Sequence, residues 1–233
     1  MIDPVVLLPG LMCDARLFGP QIDALSRQTG VMVAPINEGD RVEEIASRVL
    51  DYCPRRFALA GLSMGGIVAM EVLRRAPERV TRIALMDTNP LAETPQIAAM
   101  REPQIIAAKT GRLEDVMRDE MKPAYLAPGP GRMEVLDTVM AMARDLGPEV
   151  FIRQSRALQR RPDQQAVLRK ITIPSLVLCG RHDALCPVRR HEFMAELIPG
   201  AVLKIIEAAG HLPSLETPQE VTQALSDWLR YPV

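Results

Sequence analysis

Residues 57–76 have the sequence FALAGLSMGGIVAMEVLRRA. The first four residues are apolar, as in a strand, and the residues from Ile67 onward are typical of a helix that ends before Pro77. Ser63 lies at the turn between them, inside a Gly-x-Ser-x-Gly pattern. In such a turn the serine backbone is strained, and its Oγ stands at the carboxyl edge of a sheet, beside a helix N-terminus that favours negative charge. The stretch predicts a nucleophilic Ser63; the alternative is a helix start built from small residues.

Short apolar runs that do not alternate with polar residues recur on both sides of this stretch. Separated by helical patterns, such runs predict a parallel sheet that is covered by helices on both faces. In folds of this kind the catalytic groups gather at the carboxyl ends of the strands. The runs that we interpret as strands are residues 5–8, 31–35, 57–60, 80–86, 175–180 and 202–206.

The strand–helix alternation stops between residues 91 and 162. This part contains several helical runs broken by proline and glycine, with no convincing strand. We therefore predict a core made of residues 1–90 and 163–233, and a helical insertion over residues 91–162. An insertion that leaves the carboxyl end of a strand is placed to cover the site as a cap.

Composition and net charge limit the partners, the metal sites and the compartment that we expect for this protein. The 233 residues carry a formal net charge of −1, so there is no electrostatic reason to expect nucleic acid or a membrane surface as a partner. Cys13, Cys53, Cys179 and Cys186 show no metal-ligand spacing, so we expect reduced thiols and no metal site. The first residues lack a basic region and their apolar run ends at Pro9, which argues against a signal peptide. We expect a cytoplasmic protein.

A nucleophilic serine needs a base, and the chain has three histidines. His211 follows the last predicted strand, at the edge where Ser63 is expected, and is the preferred base. His182 also follows a strand but adjoins an acid, and we interpret it as a loop residue. His191 falls inside a predicted helix among charged residues, so we expect it to face solvent.

The base needs a carboxylate that fixes its tautomer. Asp183 follows the penultimate strand and gives the chain order Ser, Asp, His; Asp87, which also follows a strand, is its rival. An oxyanion hole needs two backbone N–H groups that point to one position. We expect them from Met64, after the nucleophile, and from Leu11, in the loop that leaves the first strand.

Four stretches together resemble the α/β-hydrolase superfamily, in its branch of small esterases, lactonases, carbon–carbon hydrolases and cofactor-free haloperoxidase-like enzymes. The stretches are LLPGL at 7–11, GLSMGG at 61–66, GRHD at 180–183 and GH at 210–211. The resemblance implies an α/β-hydrolase fold in which the insertion is the family's cap. Two features differ from the family: Pro9-Gly10 replaces the usual His-Gly, and the chain begins at what resembles the family's third strand. We therefore expect about six strands in a mostly parallel sheet.

The resemblance also limits the chemistry. A serine at the turn argues against haloalkane dehalogenases and epoxide hydrolases, which have aspartate there. A related lyase of menaquinone synthesis shares the Ser-Met-Gly-Gly turn but usually continues with arginine, where this chain has Ile67. The pattern is too general to identify the substrate.

Side chains of the predicted cap are candidates for the pocket wall. Its methionines can form an adaptable apolar surface or pack cap helices against the core. From this region we select Met121, Met140 and Tyr125 as candidate substrate-binding residues. A basic stretch follows, which could attract an anionic substrate, although a solvated helix face is the preferred interpretation. The methionines are Met100, Met117, Met121, Met133, Met140 and Met142, and the basic residues are Arg153, Arg156, Arg160, Arg161, Arg169 and Lys170.

The sequence thus predicts a serine hydrolase, without cofactor or metal, that cleaves a small ester, lactone or thioester. The same residues would serve a carbon–carbon hydrolase, a lyase or a perhydrolase. A different class of function is a ligand-binding protein on a hydrolase scaffold, which would be favoured if His211 were turned away from Ser63.

Overall fold

The structure, a computed structural model, describes residues 3–121 and 125–232, without the side chains of residues 120 and 121. Its sheet has six strands, and every neighbouring pair is parallel. The order across the sheet is β2-β1-β3-β4-β5-β6. This confirms the predicted parallel sheet of six strands. The strands are β1 Val5–Leu8, β2 Val31–Val33, β3 Phe57–Leu62, β4 Val80–Met86, β5 Ser175–Gly180 and β6 Val202–Ile206.

Ten α-helices are described, together with short 3-10 turns and a π-helical stretch at Val116–Met121. Asp14 accepts the Arg16 amide at 2.9 Å and so caps a 3-10 turn at Ala15–Phe18, which continues as α1. The α-helices are α1 Gly19–Leu25, α2 Val42–Tyr52, α3 Met64–Arg75, α4 Pro95–Lys109, α5 Leu113–Asp115, α6 Arg132–Gln159, α7 Gln165–Leu168, α8 Val188–Leu197, α9 Pro213–Glu216 and α10 Pro218–Trp228.

Both faces of the sheet are buried, as non-alternating apolar strands require. In β1 all four residues are buried, because Val5 and Leu7 face one apolar cluster while Val6 and Leu8 face the other. The first cluster includes residues of α1 and α10, and the second includes residues of α2 and α3. Tyr52, the last residue of α2, is 52% exposed and lies outside this buried face.

Between β4 and β5 all of the regular elements that the structure describes are helices. The longest is α6, which bends at Gly147, where φ is 78° and ψ is 173°, immediately before Pro148. Proline cannot continue the preceding hydrogen-bond ladder, which accounts for the bend. α4 packs against α6. The limits of 91–162 for a cap domain stay a prediction.

None of the helices described is both long enough and apolar enough to cross a membrane.

Candidate active site

Ser63 lies between β3 and α3 with a backbone that L-residues rarely adopt, at φ 56° and ψ −116°. Its amide donates to the Met86 carbonyl at 2.9 Å, and its carbonyl accepts from Oγ1 of Thr88 at 2.7 Å. These bonds to the end of β4 hold the strained turn in place. Within residues 57–73 Ser63 alone is not fully buried. The local sequence therefore places one accessible hydroxyl at the carboxyl edge of the sheet.

The glycines of this turn are required by close backbone contacts. A Cβ on Gly61 would lie 2.3 Å from the Gly65 carbonyl oxygen, and one on Gly65 would lie 2.0 Å from the carbonyl oxygen of Leu8. Neither distance leaves space for a side chain, because α3 starts directly against the strands. The Gly-x-Ser-x-Gly spacing is thus a packing requirement of the turn.

His211 lies in the loop after β6 and contacts both of its predicted partners. Its Nε2 is 2.9 Å from Oγ of Ser63, and its Nδ1 is 2.8 Å from Oδ2 of Asp183. A carboxylate only accepts hydrogen bonds, so Nδ1 carries the hydrogen and Nε2 is free to accept the serine proton. The His211 amide donates to the Tyr125 carbonyl at 2.5 Å. The three predicted side chains therefore form one continuous hydrogen-bonded chain.

Asp183, in the loop after β5, is a buried carboxylate with strong stabilisation of its charge. Its Oδ1 accepts the amides of Leu185 and Cys186 at 2.8 and 2.9 Å, while Oδ2 faces His211. Burial works to raise the pKa of Asp183, but the charge and hydrogen bond of His211 and the two amides outweigh it, so the pKa lies below its usual value. Asp183 is therefore suited to hold the imidazole in one tautomer.

The rival candidates lie elsewhere. Asp87, fully buried at the end of β4, accepts the Gly180 amide at 2.9 Å, whereas His211 bonds to Asp183. His182 is exposed, as expected for a loop residue. The expectation for His191 is wrong, because this side chain is fully buried and its Nε2 accepts the Thr88 amide at 3.0 Å. The signal that we missed is its position three residues before buried Met194 on α8, on the apolar face.

The predicted oxyanion amides are those of Leu11, in the loop after β1, and of Met64, at the start of α3. Met64 is the first residue of α3, where an N–H has no partner within the helix, and the Leu11 amide donates to none of the residues that the structure describes. Met12, the next residue, has a positive φ of 54°. Its amide donates to Oε1 of Gln154 at 2.8 Å, and Nε2 of Gln154 donates to the Ile36 carbonyl at 3.2 Å. Gln154 of α6 thus holds the loop in which relatives would have His-Gly.

Glu216 is a second residue that the sequence did not reveal. Its Oε2 accepts the amides of Gly210 and Ala127, and its Oε1 accepts the amide of Leu212, all at 2.8 to 2.9 Å. The residues on either side of His211 are therefore fixed by one carboxylate, which also joins them to the helical segment. The signal was the short spacing between His211 and Glu216, which places both at one loop and the helix that follows it.

The candidate substrate-binding residues that the structure describes lie in different surroundings. Tyr125 is 7% exposed, and its ring centroid lies 5.3 Å from that of His211, which places it beside the serine–histidine pair. Burial raises the pKa of Tyr125. Met140 is half-buried and packs on the apolar cluster that includes Leu11 and Met64. The Met121 side chain lies outside the described residues.

The other methionines that were predicted to belong to a cap divide between surface and core. Met100 and Met133 are exposed, whereas Met117 and Met142 are fully buried. The Met142 sulfur accepts the amide of Asp14 at 3.3 Å. These four therefore serve mainly packing or solubility.

The basic stretch is only partly a solvated face. Arg169 and Lys170 are exposed, as expected. Arg161 is not, since its side chain is 10% exposed and shares buried Glu93 with Arg101. The expectation of a solvated side chain is therefore wrong for Arg161. Its ion pair with Glu93 joins the end of the helical segment to its start.

One group of residues has ligand atoms close enough for a metal ion among those described: Asp183, Cys186 and His211, within 4.8 Å. Their chemistry does not fit this use. Both Asp183 oxygens and Nδ1 of His211 are engaged in hydrogen bonds. Burial raises the pKa of Cys186 well above its usual value, which keeps the thiol neutral and a poor ligand. All four cysteines are reduced thiols.

A surface groove of about 580 Å³ lies far from these residues. It is lined by the C-terminal end of α3, at Leu73 and Arg74, and by residues 166–167 and 170–173. The helix places this end roughly 15 Å from Ser63, at 1.5 Å per residue. The groove is therefore separate from the serine site.

Comparisons with known proteins agree with this geometry. The sequence profile described as "Alpha/beta hydrolase family" matches residues 5–224. The pimeloyl-[acyl-carrier protein] methyl ester esterase of Photobacterium profundum is 29% identical over 197 residues, which cover 82% of this chain and 77% of that protein.

Solved structures have the same architecture. A thermophilic esterase from Thermogutta terrifontis, solved with malate bound, is 28% identical with a TM-score of 0.91, and the match covers 98% of this chain and 89% of that chain. The enol-lactonase from Burkholderia xenovorans LB400 is 24% identical with a TM-score of 0.87, covering 98% and 92%. At this identity the second likeness concerns the fold alone.

Proposed function

Because this chain belongs to the alpha/beta hydrolase family, we propose that it is a serine hydrolase that cleaves a small carboxylic ester, lactone or thioester through an acyl-enzyme intermediate. The observation that carries the proposal is the hydrogen-bonded chain from Ser63 through His211 to Asp183, at 2.9 and 2.8 Å. The esterases among the relatives support ester-like substrates.

The reaction has two halves. Oγ of Ser63 attacks the substrate carbonyl carbon while Nε2 of His211 takes its proton, and the carbonyl oxygen becomes an oxyanion. The amides of Leu11 and Met64 donate to this oxyanion, and the N-terminal end of α3 adds favourable potential. His211 then returns the proton to the leaving oxygen or sulfur. Water, deprotonated by His211, then attacks the acyl carbon. The bond from this carbon to Oγ of Ser63 breaks as His211 returns the proton to Oγ, and the acid is released.

Asp183 remains ionised throughout. It holds the Nδ1–H tautomer and stabilises His211 while the ring carries the serine proton. Its two backbone donors, Leu185 and Cys186, keep its charge in place at neutral pH.

We assign the helical segment 91–162 to a cap over this site. Tyr125 supports the assignment, since it is buried beside His211 and its carbonyl accepts the His211 amide. Met140, which packs on the apolar cluster that includes Leu11 and Met64, would form part of the apolar acyl wall. A ligand-binding protein without turnover would be favoured by a His211 turned away from Ser63, whereas the two side chains are within 2.9 Å.

The test is hydrolysis of 4-nitrophenyl esters of increasing acyl length by the wild type and by Ser63→Ala. We expect activity with a maximum at one chain length, and a loss of at least about a thousandfold in the variant. Ser26→Ala, an exposed serine at the end of α1, is the matched control and should keep wild-type activity.

A fluorophosphonate probe identifies the nucleophile independently of the ester chosen. Mass spectrometry should find the adduct on Ser63 in the wild type and in Ser26→Ala, and none in Ser63→Ala. Labelling or hydrolysis that persists in Ser63→Ala would overturn the mechanism.

A further inference from the structure

Asp87 is a buried carboxyl group that the proposed reaction does not use. It follows β4 as Asp183 follows the neighbouring strand β5, so both lie at the same edge of the sheet. Oδ1 of Asp87 accepts the Gly180 amide at 2.9 Å. Oδ2 is buried and has no donor among the residues that the structure describes. Asp183 follows Gly180 by three residues, and its amide donates to the Gly180 carbonyl at 3.3 Å, so the Asp183 carboxyl is the side-chain hydrogen-bonding neighbour of Asp87.

Two carboxyl groups form a hydrogen bond only if one of them holds a proton. Asp183 is the member that stays ionised, because it accepts from Leu185, Cys186 and His211. A carboxylate has about four acceptor positions, so one remains for a fourth donor. Asp87, with a single amide donor, is the member that keeps the proton.

The surroundings of Asp87 favour its neutral form. Burial, then the negative charge of Asp183 and that of Glu216, raise the pKa of Asp87 well above its usual value, and the Gly180 amide opposes this only in part. His211 supplies positive charge on the Asp183 side of the pair when it is protonated. Three other neighbours stay uncharged at neutral pH, because burial raises the pKa of the Cys179 and Cys186 thiols and lowers that of His191 to about 4.

We propose that Asp87 is a positioning residue, a protonated carboxylic acid that donates a hydrogen bond to the Asp183 carboxylate and so fixes its orientation toward His211. The acid of the triad is then a pair of side chains from two adjacent strands. The kinetic part of this proposal rests on the proposed function, whereas the protonation of Asp87 does not.

Infrared difference spectroscopy tests the protonation. At pH 7 to 8 exposed carboxyl groups are ionised, so the C=O stretch of a buried carboxylic acid stands apart from the carboxylate bands. We expect this band in the wild type and its absence in Asp87→Asn. Ser63→Ala should retain the band although it is inactive, so the result does not depend on Ser63 being the nucleophile. Absence of the band in the wild type would overturn the proposal.

Kinetics test the positioning. Asp87→Ala removes the donor and should lower kcat about tenfold with little change in KM. Asp87→Asn retains an acceptor for Gly180 and an N–H donor for Asp183 in the same volume, and should recover most of that loss. Because Asn replaces a neutral group, the acid limb of the pH profile of kcat/KM should stay where it is in the wild type.

If Asp87 were ionised in the wild type, the acid limb of the pH profile would change in Asp87→Asn. Its removal would take a negative charge from beside the protonated His211, and the acid limb of Asp87→Asn would move to lower pH by about one unit. That shift would reject the proposal. If Asp87→Ala does not fold, the Asn variant and the infrared band still decide.

Discussion

The amide of Met12 donates a hydrogen bond of 2.8 Å to Oε1 of Gln154, 142 residues further along the chain. Both residues are buried, and Gln154 also donates to the Ile36 carbonyl. Met12 follows Leu11, whose amide is proposed to bind the oxyanion, and its positive φ needs support from its surroundings. A side chain of the predicted cap therefore sets the geometry of a loop in the core.

Gln154→Leu tests this connection. The substitution keeps the volume but leaves the buried amide of Met12 without an acceptor, at a cost of about 1–3 kcal/mol. We expect kcat to fall by about tenfold or more, with a smaller change in KM, because the oxyanion amide acts mainly in the transition state. Steady-state kinetics on the preferred ester measures the effect.

Gln159→Leu is the control for a general loosening of α6. Gln159 lies on the same helix and bonds to the Ala98 carbonyl and Glu102, away from the oxyanion loop. Equal losses of kcat in the two variants would show that Gln154 has no specific role in the loop.

Glu216→Gln tests the carboxylate that holds the His211 loop. An amide has one acceptor oxygen, so the NH2 group would face at least one of the amides that now donate to Glu216. We expect activity to fall by about tenfold and the free energy of unfolding by about 1–3 kcal/mol. Glu207→Gln, at an exposed residue paired with Arg181, is the control. It should leave the activity at the wild-type level and change the free energy of unfolding by no more than about 0.5 kcal/mol. Chemical denaturation and ester kinetics on both variants decide.

The elements that sequence predicted are those set by local pattern. Ser63 could be placed because its turn, its strand and its helix are contiguous, and His211 and Asp183 because they follow strands of one parallel sheet. Gln154 is different, since its role depends on a contact across 142 residues and on a bend in α6. A glutamine in a helical run carries no signal of such a partner.

Polar residues on apolar stripes were the other source of error. His191 lies among charged residues in sequence, which suggested solvent, but its spacing to Met194 places it on the buried face of α8. The tertiary contact with the Thr88 amide, at the end of β4, decides its environment. For such residues the helical period is a better guide than the immediate neighbours.

The burial of His191 predicts acid sensitivity of the fold. Burial lowers its pKa from 6.5 to about 4, so the folded state keeps the ring neutral while the unfolded state binds a proton. This contribution is present above about pH 6.5 and is lost as the pH falls toward 4, by roughly 3 kcal/mol in total. Unfolding free energies from pH 4 to 7 should show a smaller loss in His191→Gln, which keeps an acceptor for Thr88. His182→Gln, an exposed histidine, should retain the wild-type slope, and an unchanged slope in His191→Gln would contradict the assignment.

The strained backbone of Ser63 predicts a gain in stability when its Cβ is removed. At φ 56° and ψ −116° a residue with a Cβ is disfavoured by about 1–3 kcal/mol, whereas glycine adopts this conformation freely. Glycine also gains about 0.4–1 kcal/mol of entropy in the unfolded chain, which offsets part of the benefit. Ser63→Gly should therefore be more stable than Ser63→Ala by about 1 kcal/mol. Both variants lack Oγ and should be inactive, so their comparison by thermal unfolding isolates the backbone. If Ser63→Ala proves equally or more stable, the turn stores no strain and its geometry is set by packing alone.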